Sequence, residues 1–525
     1  MAAARVELTH SARPAPAAVD RGPLPEAAPV SVTLHLKDPD EPVHPAGGAR
    51  DLEALLRDPA TRRGLALARA RSLAPGVEAL AAFAADHGLK LGPLRAGRRS
   101  VRLHGDARAM RAAFGADLRL YGDGKPFRGR VGSLETPADL APWVRAVLGF
   151  EGSGAAARGR GLRAQSDPTD GLGLWPREMA ALYGLPGDAH AEGQCIGVIA
   201  PSGGYQASDL DQAAALIGRA PGPVTVRGGV LPAFGQNPGA DLELALDLQV
   251  LADIARGARL AVYPIPNSIE RLPDAIHTAL FDAVEHPQVL SLSWSSAEAV
   301  WPADLVAVMQ ATLADAVRLR VSVVAAAGDD LATGGLGDGL ANLHYPASSP
   351  YVLACGGTRL SLSDDGATIV DEVVWNDGLT GRGTGGGVST LFDRPAYQTG
   401  LAVPPSANPE APPRDARGAP DVAAAASSLP GYGIILDGRR SGQAGTSAAT
   451  PLWAGLIAIA NAQRETPLGL PHPPLYAAPA VCRGVVSGDN RFGGVGYQAG
   501  PGWNPCAGLG APRAAEVIQH LVQAR

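Results

Sequence analysis

Five short runs of this chain are apolar almost without interruption: residues 195–200, 259–263, 289–293, 321–327 and 351–354. A strand with one wet face alternates apolar and polar side chains, whereas a strand covered on both faces does not. Most of these runs are separated by helical stretches, such as 242–255 and 303–319. Continuous apolar strands alternating with helices specify an α/β fold, a parallel sheet with helices on both faces. Functional loops then belong at the carboxyl ends of the strands. The pattern occupies only 175–525. One core stops growing at about 250–300 residues, so a chain of 525 is expected to hold a further domain.

The front of the chain has a different rhythm. Residues 30–37, Val-Ser-Val-Thr-Leu-His-Leu-Lys, alternate and read as a half-buried strand. A helical pattern over 77–87 ends at Gly88, and 99–104, 107–114 and 118–121 read as strand, helix and strand. Residues 30–152 are therefore expected to form a small α/β sandwich. Residues 1–29, rich in Ala, Pro and Arg, carry no apolar core of the signal-peptide kind and read as disordered. Residues 153–174 are Gly/Ala/Arg/Ser-rich without apolar period, an exposed linker of the kind proteases cut. No stretch of roughly 18 apolar residues predicts a membrane span. The four cysteines form no CxxC pair, which argues against structural zinc, and a Cys482–Cys506 pairing is left open.

Charge divides at the same place. Residues 1–165 hold 25 Lys and Arg against 17 Asp and Glu, a net of +8 within a chain of −6, leaving −14 for the remainder. The acidic whole argues against nucleic acid as a partner. The split suits two pieces that attract each other, and composition drift between unrelated domains would look the same.

Three stretches carry chemistry. Ser447 stands in Ala444-Gly445-Thr446-Ser447-Ala448-Ala449 ahead of the helical run 452–462. A hydroxyl there meets the positive end of a helix dipole, which suits a nucleophile and equally an ordinary helix cap. No His of the second part stands in a His-Gly-Thr setting, and His277 and His344 read as structural. Glu243 and Asp247 are four apart on one helix face that continues with Val250 and Ile254. Like charges on an apolar face cost stability, and paired carboxyls in a dry site separate their proton affinities, so one can act as a base in acid. Asp329 follows the strand 321–327 through Gly328, at its carboxyl end. It reads as a turn residue, or, if protonated, as a donor to a developing oxyanion.

Together these stretches resemble the sedolisin, or serine-carboxyl peptidase, family, and its kumamolisin-like members above all. Gly445-Thr446-Ser447-Ala448 with Pro451 is similar to the family's Gly-Thr-Ser-Ala-x-x-Pro signature, Glu243 to Asp247 to its Glu-x-x-x-Asp pair, and Gly328-Asp329 to its oxyanion Asp. Ser291-Leu292-Ser293-Trp294, residues 345–352, Gly385-Gly386-Gly387-Val388-Ser389 and Pro420-Asp421-Val422 follow in family order, and Leu103-His104-Gly105-Asp106, Ala113-Phe114-Gly115 and 128–132 look like its propeptide. Residues 58–75 depart from the propeptide pattern, Ala444 replaces a common Gly or Ser, and Ser295 stands where Gly often ends the Ser-x-Ser-x-Gly stretch.

The resemblance implies a subtilisin-like domain over 175–525 behind an inhibitory α/β-sandwich propeptide, with a processing site within 153–174. It implies Ser447 as nucleophile, Glu243 as general base, Asp247 as the group tuning Glu243, and Asp329 as oxyanion donor. The expected function is an acid-acting, self-processing, monomeric serine endopeptidase for protein or peptide substrates, its own propeptide serving as inhibitor. A non-catalytic binding protein on the same fold is the alternative. Relatives are often exported, and no signal peptide is visible here. The family also has a calcium loop, and its positions fall on Gly484, Val485, Gly500, Gly502 and Asn504. Both carboxylate ligands are missing, so calcium binding is expected to be weak or absent.

Overall fold

The computed structural model describes the chain apart from residues 1–3, 40, 42–48, 123, 125, 152–160, 170, 219–221, 379–380, 405, 407–414 and 525. The front unit contains strands β1 (Arg5–Glu7), β2 (Asp20–Pro23), β3 (Pro29–Leu36), β4 (Lys90–Leu91), β5 (Ser100–Asp106), β6 (Asp117–Tyr121), β7 (Phe127–Val131), β8 (Glu135–Pro137) and β9 (Val144–Leu148). Its helices include α1 (Arg62–Ser72), α2 (Ala74–Asp86) and α3 (Ala107–Phe114). An antiparallel sheet in the order β4-β5-β3-β9 is its centre. Alternation along β3 decides the layers: Val30, Val32, Leu34 and Leu36 join Leu80 and Phe83 of α2 and Met110 and Phe114 of α3 in one core. Ser31, Thr33 and His35 take the opposite face, where Asn267, Glu270 and Asp274 of the second unit lie across a cavity.

The disorder expected of residues 1–29 is corrected. Within the described 4–29, β1 pairs antiparallel with β8 and β2 with β6. Arg5 donates to the carbonyl of Ala113 at 2.6 Å, and Arg13 pairs with Asp304 of the second unit. The partners lie far along the chain, so local composition carries no sign of them.

The second unit holds β10 (Arg163–Ala164), β11 (Asp167–Thr169), β12 (Cys195–Pro201), β13 (Val224–Val226), β14 (Arg259–Ile265), β15 (Val289–Leu292), β16 (Trp294–Ala297), β17 (Ser322–Ala326), β18 (Leu353–Leu362), β19 (Ile369–Val374), β20 (Val422–Ala425) and β21 (Arg439–Ala444). The main sheet runs β13-β14-β12-β15-β17-β18-β19, with β20 also on β18. Its strands are parallel except β19. Helices α4 (Pro238–Ile254) and α7 (Thr446–Ala462) cover one face, and α5 (Leu272–Leu280) and α6 (Ala303–Arg318) the other. This is the α/β architecture expected from the apolar runs.

The two units share surface. Ala146 and Leu148 of β9 enter the core under α5 and α6. Arg69 pairs with Asp315 of α6, Arg98 donates to Thr278 at 2.6 Å, and Arg62 to the carbonyls of Leu280 and Pro287 at 2.6 and 2.7 Å. Arg62 and Arg69 belong to α1, the stretch that departs from the family pattern. All four cysteines are buried free thiols, which closes the Cys482–Cys506 question in favour of no bond. No described helix is long and apolar enough to cross a membrane.

Candidate active site

From Ala240 onward helix α4 is buried except at Leu242 and Ala252, which are half-buried, so packing on the sheet takes its polar residues inside as well. Glu243 and Asp247, one turn apart, are 0% and 1% exposed. Asp241 anchors the first turn by accepting from the N–H groups of Gly204 and Gly235 at 2.6 and 2.7 Å. Burial pushes the Asp247 carboxyl up to about 8, against the pull of a hydrogen bond from Ser293. That bond, from Ser293 Oγ to Asp247 Oδ1, is 2.6 Å long.

Ser293 is also the bridge to Ser447. It follows β15, at the carboxyl end of the strand, and its carbonyl accepts the Ser447 hydroxyl at 3.3 Å. Ser447 is the second residue of α7, where backbone N–H groups lack intrahelical acceptors. The strand-to-helix turn is made by Gly445 at φ +126°. A Cβ there would lie 2.0 Å from the Gln165 carbonyl oxygen and 2.6 Å from Asp329 Oδ2, so only glycine admits both groups.

Asp329 comes in from β17, as its place after an apolar strand predicts. Its Oδ1 accepts from the N–H and hydroxyl of Thr446 at 2.8 and 2.7 Å, which ties it to the start of α7. Arg382 reaches Oδ2 at 3.4 Å and Asp330 Oδ1 at 3.2 Å.

Residues 161–169 of the expected linker thread this cleft, while 152–160 and 170 lie outside the described residues. Strand β10 pairs antiparallel with β16, and β11 with β21. Between them, Gln165 N–H donates to Ser293 O at 3.3 Å, and Ser447 N–H donates to Gln165 O at 3.0 Å. Gln165 Oε1 accepts from Asp329 N–H at 2.9 Å, and Ser166 Oγ donates to Glu243 Oε2 at 2.6 Å.

All four residues singled out from the sequence thus converge through one network. Gln165, Ser166, Ser293, Thr446 and Arg382 carry no such role in the sequence reading. Ser293 and Thr446 had a local signal, the first in its place at the end of an apolar strand and the second as the neighbour of Ser447. His277 bonds Asp315 and Thr312, and His344 bonds Ser295 and Gly334; the imidazole gives Ser295, a departure from family Gly, a buried partner at 2.9 Å.

The calcium positions have another use. Gly484 offers no side chain. Asn504 Nδ2 donates to the carbonyls of Val485 and Gly500 at 3.0 and 3.1 Å. Its Oδ1 accepts from the N–H groups of Cys506 and Ala507, both at 3.1 Å, which sets the amide orientation. Two carbonyls that would face a cation therefore face a donor, and with Gly502 adding only backbone the residues do not fit calcium. Among the described residues no cluster of three or more His, Cys, Asp or Glu can hold a metal.

A sequence model of the subtilase family matches residues 233–470. Kumamolisin from Bacillus sp. (strain MN-32) is 38% identical over 531 residues, covering 98% of this chain and 95% of that protein. Sedolisin from Pseudomonas sp. (strain 101) is 29% identical over 448 residues, covering 79% of this chain and 74% of that protein. The solved structure of Pseudomonas sedolisin, a serine-carboxyl proteinase complexed with two molecules of pseudo-iodotyrostatin, is 28% identical with a TM-score of 0.59. It covers 66% of this chain and 98% of that chain. Near-full-length identity to one such peptidase, on a subtilisin-like sheet, makes this chain a member of the sedolisin family of serine-type peptidases.

Proposed function

We propose that the chain is the zymogen of an acid-acting serine-carboxyl endopeptidase. The observation that carries this reading is the Ser447 N–H on a backbone carbonyl, opposite a buried carboxyl pair. Ser447 Oγ attacks the carbonyl carbon and Glu243 takes its proton. Burial favours the protonated form of Asp247, which orients Glu243 as the base of the pair. Negative charge grows on the carbonyl oxygen, where Ser447 N–H and a protonated Asp329 carboxyl donate to it. The C–N bond breaks, Glu243 returns the proton to the leaving amine, and an acyl ester on Ser447 remains. Water, deprotonated by Glu243, attacks the ester, and the acid product and the Ser447 hydroxyl are released. A cleft that holds chain on both sides of the reacting carbonyl favours an endopeptidase.

The front unit acts as the inhibitor in this reading, supported by its Arg contacts to α5 and α6 and by the chain it sends through the cleft. The Asn504 loop works without calcium. Ser447→Ala tests the whole: processing and hydrolysis of a denatured protein at acidic pH should both vanish while the melting temperature holds. Activity surviving in that variant, or none in the parent, overturns the proposal; the second result would leave the binding-protein alternative.

A further inference from the structure

We infer that the bond cut to release the front unit is Gln165–Ser166, and that its recognition rests on Leu162 and Gln165. This rests on the peptidase reading above and fixes its first substrate.

Three observations set the register. The chain enters as β10 on β16 and leaves as β11 on β21, the strand that runs into Gly445 and Ser447. Gln165 and Ser166 are the two residues between these ladders. The Ser447 N–H donates to the carbonyl of Gln165, and an N–H beside a nucleophile marks the carbonyl whose C–N bond breaks. On the far side, the Ser166 hydroxyl lies on Glu243 Oε2, which brings the residue holding the leaving amine beside the group that must protonate it. Attack by Ser447 Oγ at the Gln165 carbonyl carbon frees the Ser166 amine, and water then releases a Gln165 carboxylate.

The same contacts define selectivity. Leu162 is 3% exposed, within the apolar cluster that contains Trp294 and Trp301. Its backbone is clamped by Asn267, which accepts from the N–H at 2.8 Å and donates to the carbonyl at 3.0 Å. Gln165 is 1% exposed, and its side-chain oxygen accepts from Asp329 N–H. Arg163 reaches Asp330 at 3.0 Å, but its side chain is 51% exposed and such a pair contributes little. The preferred substrate class is therefore an extended peptide with a branched aliphatic residue three places before a glutamine, cut after the glutamine.

The full-length protein is brought to acidic pH, and the first new N-terminus is read by intact mass and N-terminal sequencing over time. Ser166 is expected, with no product from Ser447→Ala. In parallel the processed enzyme is given a synthetic peptide of residues 161–169 and its Leu162→Asp and Gln165→Leu forms. The parent peptide should be cut between Gln165 and Ser166, and each altered peptide about tenfold or more slowly. A first product starting elsewhere, or altered peptides cut as fast as the parent, overturns this inference while leaving the peptidase reading intact. A parent that neither processes itself nor cuts denatured protein overturns both.

Discussion

Asp247 and Asp329 are both buried, but their neighbours differ in kind. Asp247 accepts from a neutral donor, Ser293, and desolvation dominates and favours its protonated form. Removing that donor in Ser293→Ala should leave Asp247 neutral but unoriented. A fall in kcat on the order of 10²-fold at acidic pH is expected, with KM little changed; a parallel rise in KM would instead point to a role in binding. Asp329 has a cation nearby, Arg382, and a cation favours a carboxylate over a carboxyl. In the proposed mechanism Asp329 must hold its proton to donate. Arg382→Gln should therefore extend activity to higher pH, seen as an upward move of the alkaline limb of the kcat profile. An unmoved limb would count against Asp329 as that donor.

At the level of elements, positions chosen for one task can be refilled for another. The loop containing Asn504 keeps the carbonyls of a cation site and closes them with an amide. A chelator should leave the thermal midpoint of the parent protein unchanged. Asn504→Asp removes both donors and leaves buried carbonyls facing a carboxylate, for a loss of about 1–3 kcal/mol, read as a lower midpoint in a thermal melt. A chelator-sensitive parent would refute the assignment. Helix α1 shows the converse. Its sequence departs from the family propeptide, yet it supplies Arg62 and Arg69 to the contact between the units.

For the whole molecule, the split of +8 against −14 suits docking of the two units. Acid does not discharge every carboxylate at this contact. Arg69 and Arg99 hold the Asp315 carboxyl far below the usual range despite its burial, so that attraction is lost only at pH values beneath the ordinary carboxylate range. One acid-sensitive group at the contact is His35, on the β3 face turned to the second unit, with Arg99, Arg145, Asp274 and His277 around it. Burial lowers it from 6.5 to about 4. A base held neutral when docked and free to charge when released weakens docking as pH falls from 6.5 towards 4, by about 1.4 kcal/mol per pH unit. His35→Gln, which cannot charge, should slow separation of the cleaved units at pH 4–5 and leave it unchanged at pH 7; equal rates at pH 4 would remove His35 from the account. The sheet and its covering helices were legible in the chain as local periods, and the family resemblance singled out Ser447, Glu243, Asp247 and Asp329, which the structure brings together. Only Glu243 and Asp247 are out of place by residue type, as charges on an apolar helix face. The strands of residues 4–29, the passage of 161–169 through the cleft, and the contacts of Ser293 and Arg382 were not legible. Those are relations between residues far apart in the chain, and a local pattern records which face is buried but not what buries it. The sequence by itself determined the layers and pointed to the residues proposed to carry the chemistry. Only the tertiary structure decided which backbone lies under Ser447, because that follows from how two separately cored units fit together.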